Sequence, residues 1–245
     1  MKGVILAGGM GTRLRPLTLI TNKHLLPVFD RPMILYPLET LRRSGVTEIM
    51  VVCGKEHAGS FMNFLGSGRE HGVRLSYALQ DTPNGGIADA LRSAEDFSGG
   101  GPVAVILGDN IFEEDFTGPI ARFREGAVIF LKKVADPRRF GVAVFDKTET
   151  IVRAIEEKPK RPKSPYAQTG FYLFDAAVFS HIRGLKPSGR GEIEITDAVN
   201  AYIGKRALRF EFVKGFWSDA GTFGSLLESA NWAAGRSKGL FNSFL

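Results

Sequence analysis

The segment Leu6-Ala7-Gly8-Gly9-Met10-Gly11-Thr12-Arg13-Leu14 concentrates the residue types that handle an anion. Three glycines directly after a short apolar run let backbone amides approach a phosphate closely, and Arg13 stands just beyond to reach its charge. The spacing excludes two familiar phosphate loops. No Gly-Lys-Ser/Thr closes the segment, so it is not a Walker A loop. Leu14 stands where the third glycine of a dinucleotide fingerprint would fall, which removes an oxidoreductase built on that fingerprint. Taken alone, the glycines also fit a tight turn carrying a surface arginine. Other candidate chemistry is thinner. His24, His57, His71 and His181 are dispersed without metal-ligand spacing. Cys53 lies in a β-rich run and reads as core, not nucleophile. Lys158-Pro159-Lys160-Arg161-Pro162-Lys163 is rich in cations, but its prolines and the lack of an aromatic platform make it a solvated loop rather than a nucleic-acid patch.

The elements that must position these residues alternate. Residues 2–7, 48–53, 73–79 and 103–107 read as strands. A helix with Arg42 and Arg43 in its last turn stops at Gly45. Ile87, Ala90, Leu91 and Ala94 form the stripe of a second helix. Strands alternating with helices give βαβ units and a mostly parallel sheet, whose ligands bind outside the carboxyl ends of the strands. Residues 8–14, 80–86 and 108–110 therefore belong on one edge. From residue 127 the pattern is richer in β, with strands at 128–131, 141–145, 151–157, 170–174 and 208–213. Helices follow at 176–182 and 194–203, and a last one from 223 to about 234 places Phe223, Leu226, Leu227 and Ala230 on one face. No linker is visible. The chain of 245 residues reads as a single domain with halves at about 1–126 and 127–245. It is 44% apolar with a net charge of +6, which excludes a disordered chain and leaves the basic excess open to a phosphate-bearing ligand. No apolar window suits a membrane span, and the single cysteine permits no intrachain disulfide, so a cytoplasmic protein is expected.

The glycine segment extended through Arg15-Pro16-Leu17-Thr18, then Asn22-Lys23-His24-Leu25-Leu26-Pro27-Val28, resembles the signature of the sugar-1-phosphate nucleotidylyltransferases. Its nearest likeness is the thymidylyltransferase branch acting on glucose 1-phosphate. Further matches follow in order: Gly108-Asp109-Asn110-Ile111-Phe112, Arg139-Phe140-Gly141-Val142, Glu156-Glu157-Lys158-Pro159, Gly191-Glu192-Ile193-Glu194-Ile195-Thr196-Asp197 and Trp217-Ser218-Asp219-Ala220-Gly221-Thr222. The resemblance implies an α/β fold, a mostly parallel Rossmann-like sheet flanked by helices with a β-rich sugar-binding half. It implies attack of glucose 1-phosphate on the α-phosphate of dTTP, with UTP as the alternative nucleotide. Two anions must meet, so cations have to be placed in advance. By the resemblance these are Arg13, Lys23 and Lys158. Leu6, Ala7, Gly8, Gly9, Gly11, Thr12, Gln80 and Gly86 would bind the nucleotide, the Gln80 amide matching the donor–acceptor edge of the base. Gly141, Glu157, Gly170 and Arg190 would bind the sugar phosphate, and Asp109 and Asp219 would hold Mg²⁺ with their hard oxygens. Each aspartate can instead be read as a turn cap.

Two departures from the family pattern stand out. The turn at 81–86 is one residue longer than usual, and Gln168 stands where a small apolar residue is more common. A catalytically silent sugar-nucleotide-binding protein is the rival reading, against which stands the joint retention of Arg13, Lys23, Asp109, Lys158 and Asp219. A homo-oligomer with no nucleic-acid or membrane partner is expected. Longer members carry an additional C-terminal helical segment, so this short form is expected to show weak feedback inhibition at a remote site. Its apolar tail, residues 240–245, is expected to dock on the body or on a neighbouring subunit.

Overall fold

The computed structural model describes residues 1–82 and 84–236. β1 (Lys2–Ala7) is apolar and buried along nearly its whole length, as a central parallel strand covered on both faces requires. β2 (Pro27–Val28) and β3 (Arg31–Pro32) pair as a small hairpin ahead of α1 (Leu35–Arg43), which buries Leu38 and Leu41. β4 (Glu48–Cys53), α2 (Ala58–Leu65), β5 (Arg74–Leu79), α3 (Ile87–Arg92), α4 (Glu95–Ser98) and β6 (Val103–Leu107) continue the alternation. β1 lies parallel between β4 and β6, and β4 pairs parallel with β5. Then come β7 (Asn110–Phe112), α5 (Thr117–Arg122), β8 (Ala127–Lys133), β9 (Gly141–Phe145), β10 (Val152–Glu157) and β11 (Tyr166–Phe174). α6 (Ala177–Arg183), α7 (Ile195–Gly204), β12 (Leu208–Phe212), β13 (Trp217–Asp219) and α8 (Phe223–Arg236) complete the described chain.

Among the described residues nine strands form one sheet, in the order β10-β9-β11-β6-β1-β4-β5 with β8 and β12 joined beside β11. β11 is the seam. It runs antiparallel to β6, with Phe171 opposite Ile106, and also pairs β8 and β9. One face of the sheet packs Leu91, Val178, Val199 and Tyr202 from α3, α6 and α7. The other face packs Leu38, Leu41 and Phe61 from α1 and α2 with Phe112, Phe116, Phe130 and Phe171, whose rings meet at 4.3–6.1 Å. Layers of helix on both sides leave the carboxyl-end loops as the open rim.

The strands expected at 2–7, 48–53, 103–107 and 141–145 occur with those bounds. Other elements differ. α2 carries weak helix formers, Gly59 and Ser60, and only Phe61 and Leu65 are buried, so its sequence gives little signal. β7 and β13 are three residues each and pair with one another, a contact no local pattern announces. On α8 the expected face packs only in part: Leu226 and Ala230, with Trp232, lie against the cluster of Val28, Met33 and Ile111. Phe223 and Leu227 are exposed, 49% and 63%, while Ser229 and Ala233 are buried. The Ser229 hydroxyl donates to Ser218 Oγ at 2.9 Å, which adds a polar contact between the helix and β13. The tail at 240–245 lies outside the described residues. No helix among them is long and apolar enough to cross a membrane.

Candidate active site

The three loops expected on one edge meet around a cleft of about 790 Å³. After β1 the chain passes through the glycine segment into a short turn, Thr12–Leu14, anchored by the fully buried Leu14. Lys23 follows in a second short turn capped by Asn22, whose side chain accepts from the His24 amide at 2.9 Å. The glycines make room for side chains as well as for a ligand. A Cβ on Gly9 would lie 3.3 Å from Lys23 Cε, and one on Gly8 would lie 2.1 Å from Gln80 Oε1. Gly11 adopts φ +63°, and a Cβ there would meet Lys23 Cβ at 2.8 Å. The bare backbone thus lets Lys23 and Gln80 lie along the loop.

The carboxylates come together through the β7–β13 pair, in which Asp219 is opposite Asn110. Asp109 Oδ2 accepts from Lys23 Nζ at 2.5 Å, and its Oδ1 accepts from Asn110 Nδ2 at 3.0 Å. Burial raises the Asp109 pKa, but Lys23 and the two hydrogen bonds outweigh it and hold the carboxyl below its ordinary range. Asp219 is pushed the other way, by burial first and by the Asp109 charge second. Arg13 and Arg139 approach Asp219 Oδ2 at 3.9 and 3.7 Å. Asp219 Oδ1 also accepts from Gly221 N at 3.0 Å, so the turn-cap role is real and coexists with the site. A Cβ on Gly221 would sit 2.7 Å from Asp219 Oδ1 and 3.4 Å from Asp109 Oδ2. A buried carboxylate and a half-buried one therefore face a cradle kept open by a missing side chain. Such a donor set fits a small hard cation that draws its remaining ligands from phosphate and water. The described residues hold no cluster of three or more such side chains that would cage a metal by itself.

Across the cleft, Gly141, Glu157, Lys158 and Gly170 line the wall. Glu157 Oε2 accepts from Thr196 Oγ1 at 2.5 Å, and its Oε1 from Arg190 Nη2 at 3.2 Å. Lys158 holds φ +43°, an unfavourable backbone region for a non-glycine residue, and its amide donates to Phe140 O at 3.0 Å. Asn110 Oδ1 accepts from Gly170 N at 2.9 Å and from Trp217 Nε1 at 2.7 Å, pinning both sides of the cleft to the carboxylate strand.

A Nucleotidyl transferase family model matches residues 2–234. The chain belongs to the nucleotidyl transferase family. A glucose-1-phosphate thymidylyltransferase of Actinoplanes sp. is 45% identical over 237 residues, covering 95% of this chain and 78% of that protein. One from Neisseria gonorrhoeae is 45% identical over 238 residues, covering 95% and 82%. A Bacillus anthracis structure, assigned as a glucose-1-phosphate thymidylyltransferase and solved in complex with a sucrose, superposes with a TM-score of 0.90 at 50% identity over 95% of both chains. A UDP-glucose pyrophosphorylase complexed with UDP-glucose superposes at 0.83 with 25% identity, over 96% of this chain and 98% of its own.

In this nucleotidyl transferase the cleft gathers Leu6, Gly8, Gly9, Gly11, Thr12, Arg13, Lys23, Gln80 and Gly86 with Asp109, Gly141, Glu157, Lys158, Gly170 and Asp219. Two expected residues lie outside its lining. Ala7 is fully buried in the β1 ladder opposite Cys53. Arg190 is held behind the wall by Glu157, Glu192 and Glu194. Gly86 has a further reason to be glycine: it adopts φ +95°, and a Cβ would strike Ile193 O at 2.5 Å. Sequence reading assigned no role to Arg138, Arg139, Asn110, His24 or Thr196, all of which line or brace the site. The Arg138-Arg139 pair beside Gly141 was a readable signal; the others depend on contacts distant in sequence. Cys53 is buried, and burial raises its thiol pKa to about 11, which leaves it no nucleophilic role. Lys158, Lys160, Arg161 and Lys163 are exposed, as a solvated loop requires.

Proposed function

We propose that this chain transfers a thymidylyl group from dTTP to α-D-glucose 1-phosphate, giving dTDP-glucose and pyrophosphate. The observation that carries the reading is the convergence of Arg13, Lys23, Asp109, Lys158 and Asp219 on one cleft, supported by relatives of that name at 45% identity. A phosphate oxygen of the sugar forms the new bond to the α-phosphorus, while the bond to the bridging oxygen breaks and its electron pair departs with pyrophosphate. Both reactants are anions, so placing and neutralising them is most of the catalytic work. Arg13 and Lys23 serve the triphosphate, and Lys158 serves the sugar phosphate. Lys23 rests on Asp109, and a cation held by that carboxylate would leave its ammonium free for the phosphates. Asp109 and Asp219 would hold the Mg²⁺, which when bound neutralises and orients the reacting phosphates. Gln80 reads the base, Glu157 accepts from sugar hydroxyls, and Arg190 reaches the sugar phosphate by leaving its glutamates. Residues 1–126 form the nucleotide half and 127–245 the sugar half of one domain.

The test supplies glucose 1-phosphate, Mg²⁺ and each of dTTP, UTP, CTP, GTP and ATP, and measures pyrophosphate. Release should be strongest with dTTP, weaker with UTP and small with the others. Faster release with UTP would replace the thymidylyl reading by the uridylyl one, since the Gln80 amide meets an edge that both bases share. No release with any triphosphate would leave a silent binding protein.

A further inference from the structure

The sugar side of the cleft contains polar groups that no protein partner satisfies. Gln168 is 6% exposed and lines the cleft, yet its Oε1 has no hydrogen-bond partner among the described residues. Leaving a buried amide oxygen unmatched is costly, and native interiors rarely tolerate it without a ligand or water. The other end of the same amide makes only a long bond, Gln168 Nε2 to Tyr172 Oη at 3.4 Å. Tyr172 is 3% exposed and also lines the cleft, and burial keeps its phenol protonated far beyond the ordinary range. Its O–H is therefore a fixed donor, and among the described residues no acceptor takes its hydrogen. Between the two, the fully buried Thr169 hydroxyl is likewise unmatched.

The strand explains the arrangement. Gln168 and Tyr172 lie on one side of β11, where Gln168 Nε2 reaches Tyr172 Oη. The register of β11 against β8 breaks between Gln168 and Tyr172, which opens this stretch toward the cleft. Ala167 pairs with Val142 of β9, so the next pair along is Gln168 with Gly141. An unmatched acceptor and an unmatched donor thus stand together beside Gly141, where the proposed function puts the sugar.

We infer that Gln168 and Tyr172 form a specificity pair for one ring hydroxyl of the hexose, which donates to Gln168 Oε1 and accepts from the Tyr172 O–H. A hydroxyl does both through one oxygen, whereas a keto or fluoro substituent only accepts and a deoxy carbon does neither. Turning the amide over exchanges the two roles and still leaves one amide atom for the hydroxyl. The inference rests on the transferase reading above and concerns the choice of sugar, not the transfer of phosphate.

The test compares wild type, Gln168→Met and Tyr172→Phe with dTTP against glucose 1-phosphate and its 2-, 3-, 4- and 6-deoxy analogues. Wild type should lose about tenfold or more in kcat/KM on one deoxy analogue, because a site built to bond a hydroxyl rejects the analogue lacking it. Each variant should narrow that one ratio to about threefold or less, since the paired loss is no longer there to be made. The ratios for the other analogues should stay as in wild type. Variants that keep the wild-type ratio for every analogue would overturn the inference while leaving the transferase reading intact. So would a wild type that treats all four analogues alike. No pyrophosphate from wild type with any sugar phosphate would remove the transferase reading and this inference together. If Gln168→Met does not fold, Tyr172→Phe carries the comparison alone, because it removes one oxygen and keeps the ring stacked on Phe174 at 5.6 Å.

Discussion

His24 shows how a residue without a catalytic role can still set the chemistry around it. Its ring is buried, Nδ1 lies 2.7 Å from Asn22 Oδ1, and burial, then the neighbouring Lys23 charge, lowers its pKa to about 3. A neutral imidazole beside the Lys23–Asp109 pair adds no competing charge. The sign of the pH effect follows. An unfolded histidine takes its proton near pH ~6.5, so between that value and about 3 the unfolded chain binds one proton more than the folded one. Stability should therefore rise with pH across this window and be lost as pH falls through it, by up to about 1.4 kcal/mol per pH unit from this group. Urea midpoints between pH ~4 and ~6 should show a steeper slope in wild type than in His24→Gln, by roughly one proton. Equal slopes would mean that His24 is protonated in the folded protein.

At the scale of elements, two glycine-bearing loops look alike in sequence and differ in what they tolerate. In the loop after β1, a Cβ on Gly8 would strike only the tip of the Gln80 side chain, at 2.1 Å. Gln80 can swing away, but then it no longer presents its amide to a base. Gly8→Ala should leave the melting temperature within about 2 °C of wild type and raise KM for dTTP by roughly tenfold, as expected when one bonded recognition group is lost. In the loop before α3, Gly86 combines φ +95° with a Cβ position 2.5 Å from Ile193 O and 2.8 Å from Ile193 N. Backbone cannot swing aside, so Gly86→Ala should cost roughly 2–4 kcal/mol of stability, read by denaturant unfolding. If both variants lost stability equally, the Gly8 loop would be a structural turn and no more.

For the whole molecule the decisive element is β11, which fastens the strands after residue 127 to the parallel strands before it. Phe171 is its keystone: fully buried, opposite Ile106 of β6, and within 4.3 Å of the Phe116 ring and 5.1 Å of Phe130. Removing so large a buried ring costs about 3–5 kcal/mol. Because both halves share that strand, Phe171→Ala should lower the melting temperature by roughly 10 °C and keep a single calorimetric transition. Two separated transitions would show instead that the halves fold independently.

What the amino-acid sequence determined by itself was whatever depends on neighbours in the chain. The glycine segment, the apolar strands with their alternating helices and the rim of loops at 8–14, 80–86 and 108–110 were all legible, because hydrophobic period and turn chemistry act over a few residues. Motif order was enough to propose residues that, apart from Ala7 and Arg190, line one cleft. Only the tertiary structure decided how they meet. Asp109 and Asp219 are brought together by a three-residue strand pair too short to leave a periodic trace. On α8, Leu226, Ala230 and Trp232 pack while Phe223 and Leu227 stay exposed, a division its apolar stripe alone does not give. Arg190 is taken up by three glutamates and stands off the cleft. Gln168, one polar letter in an apolar strand, becomes an unmatched group facing the cleft only once β8, β9 and β11 define its surroundings. The reason is common to all four: hydrogen bonds and burial are properties of contacts, and which contacts form is specified by the packing of the fold rather than by the residue types in a segment.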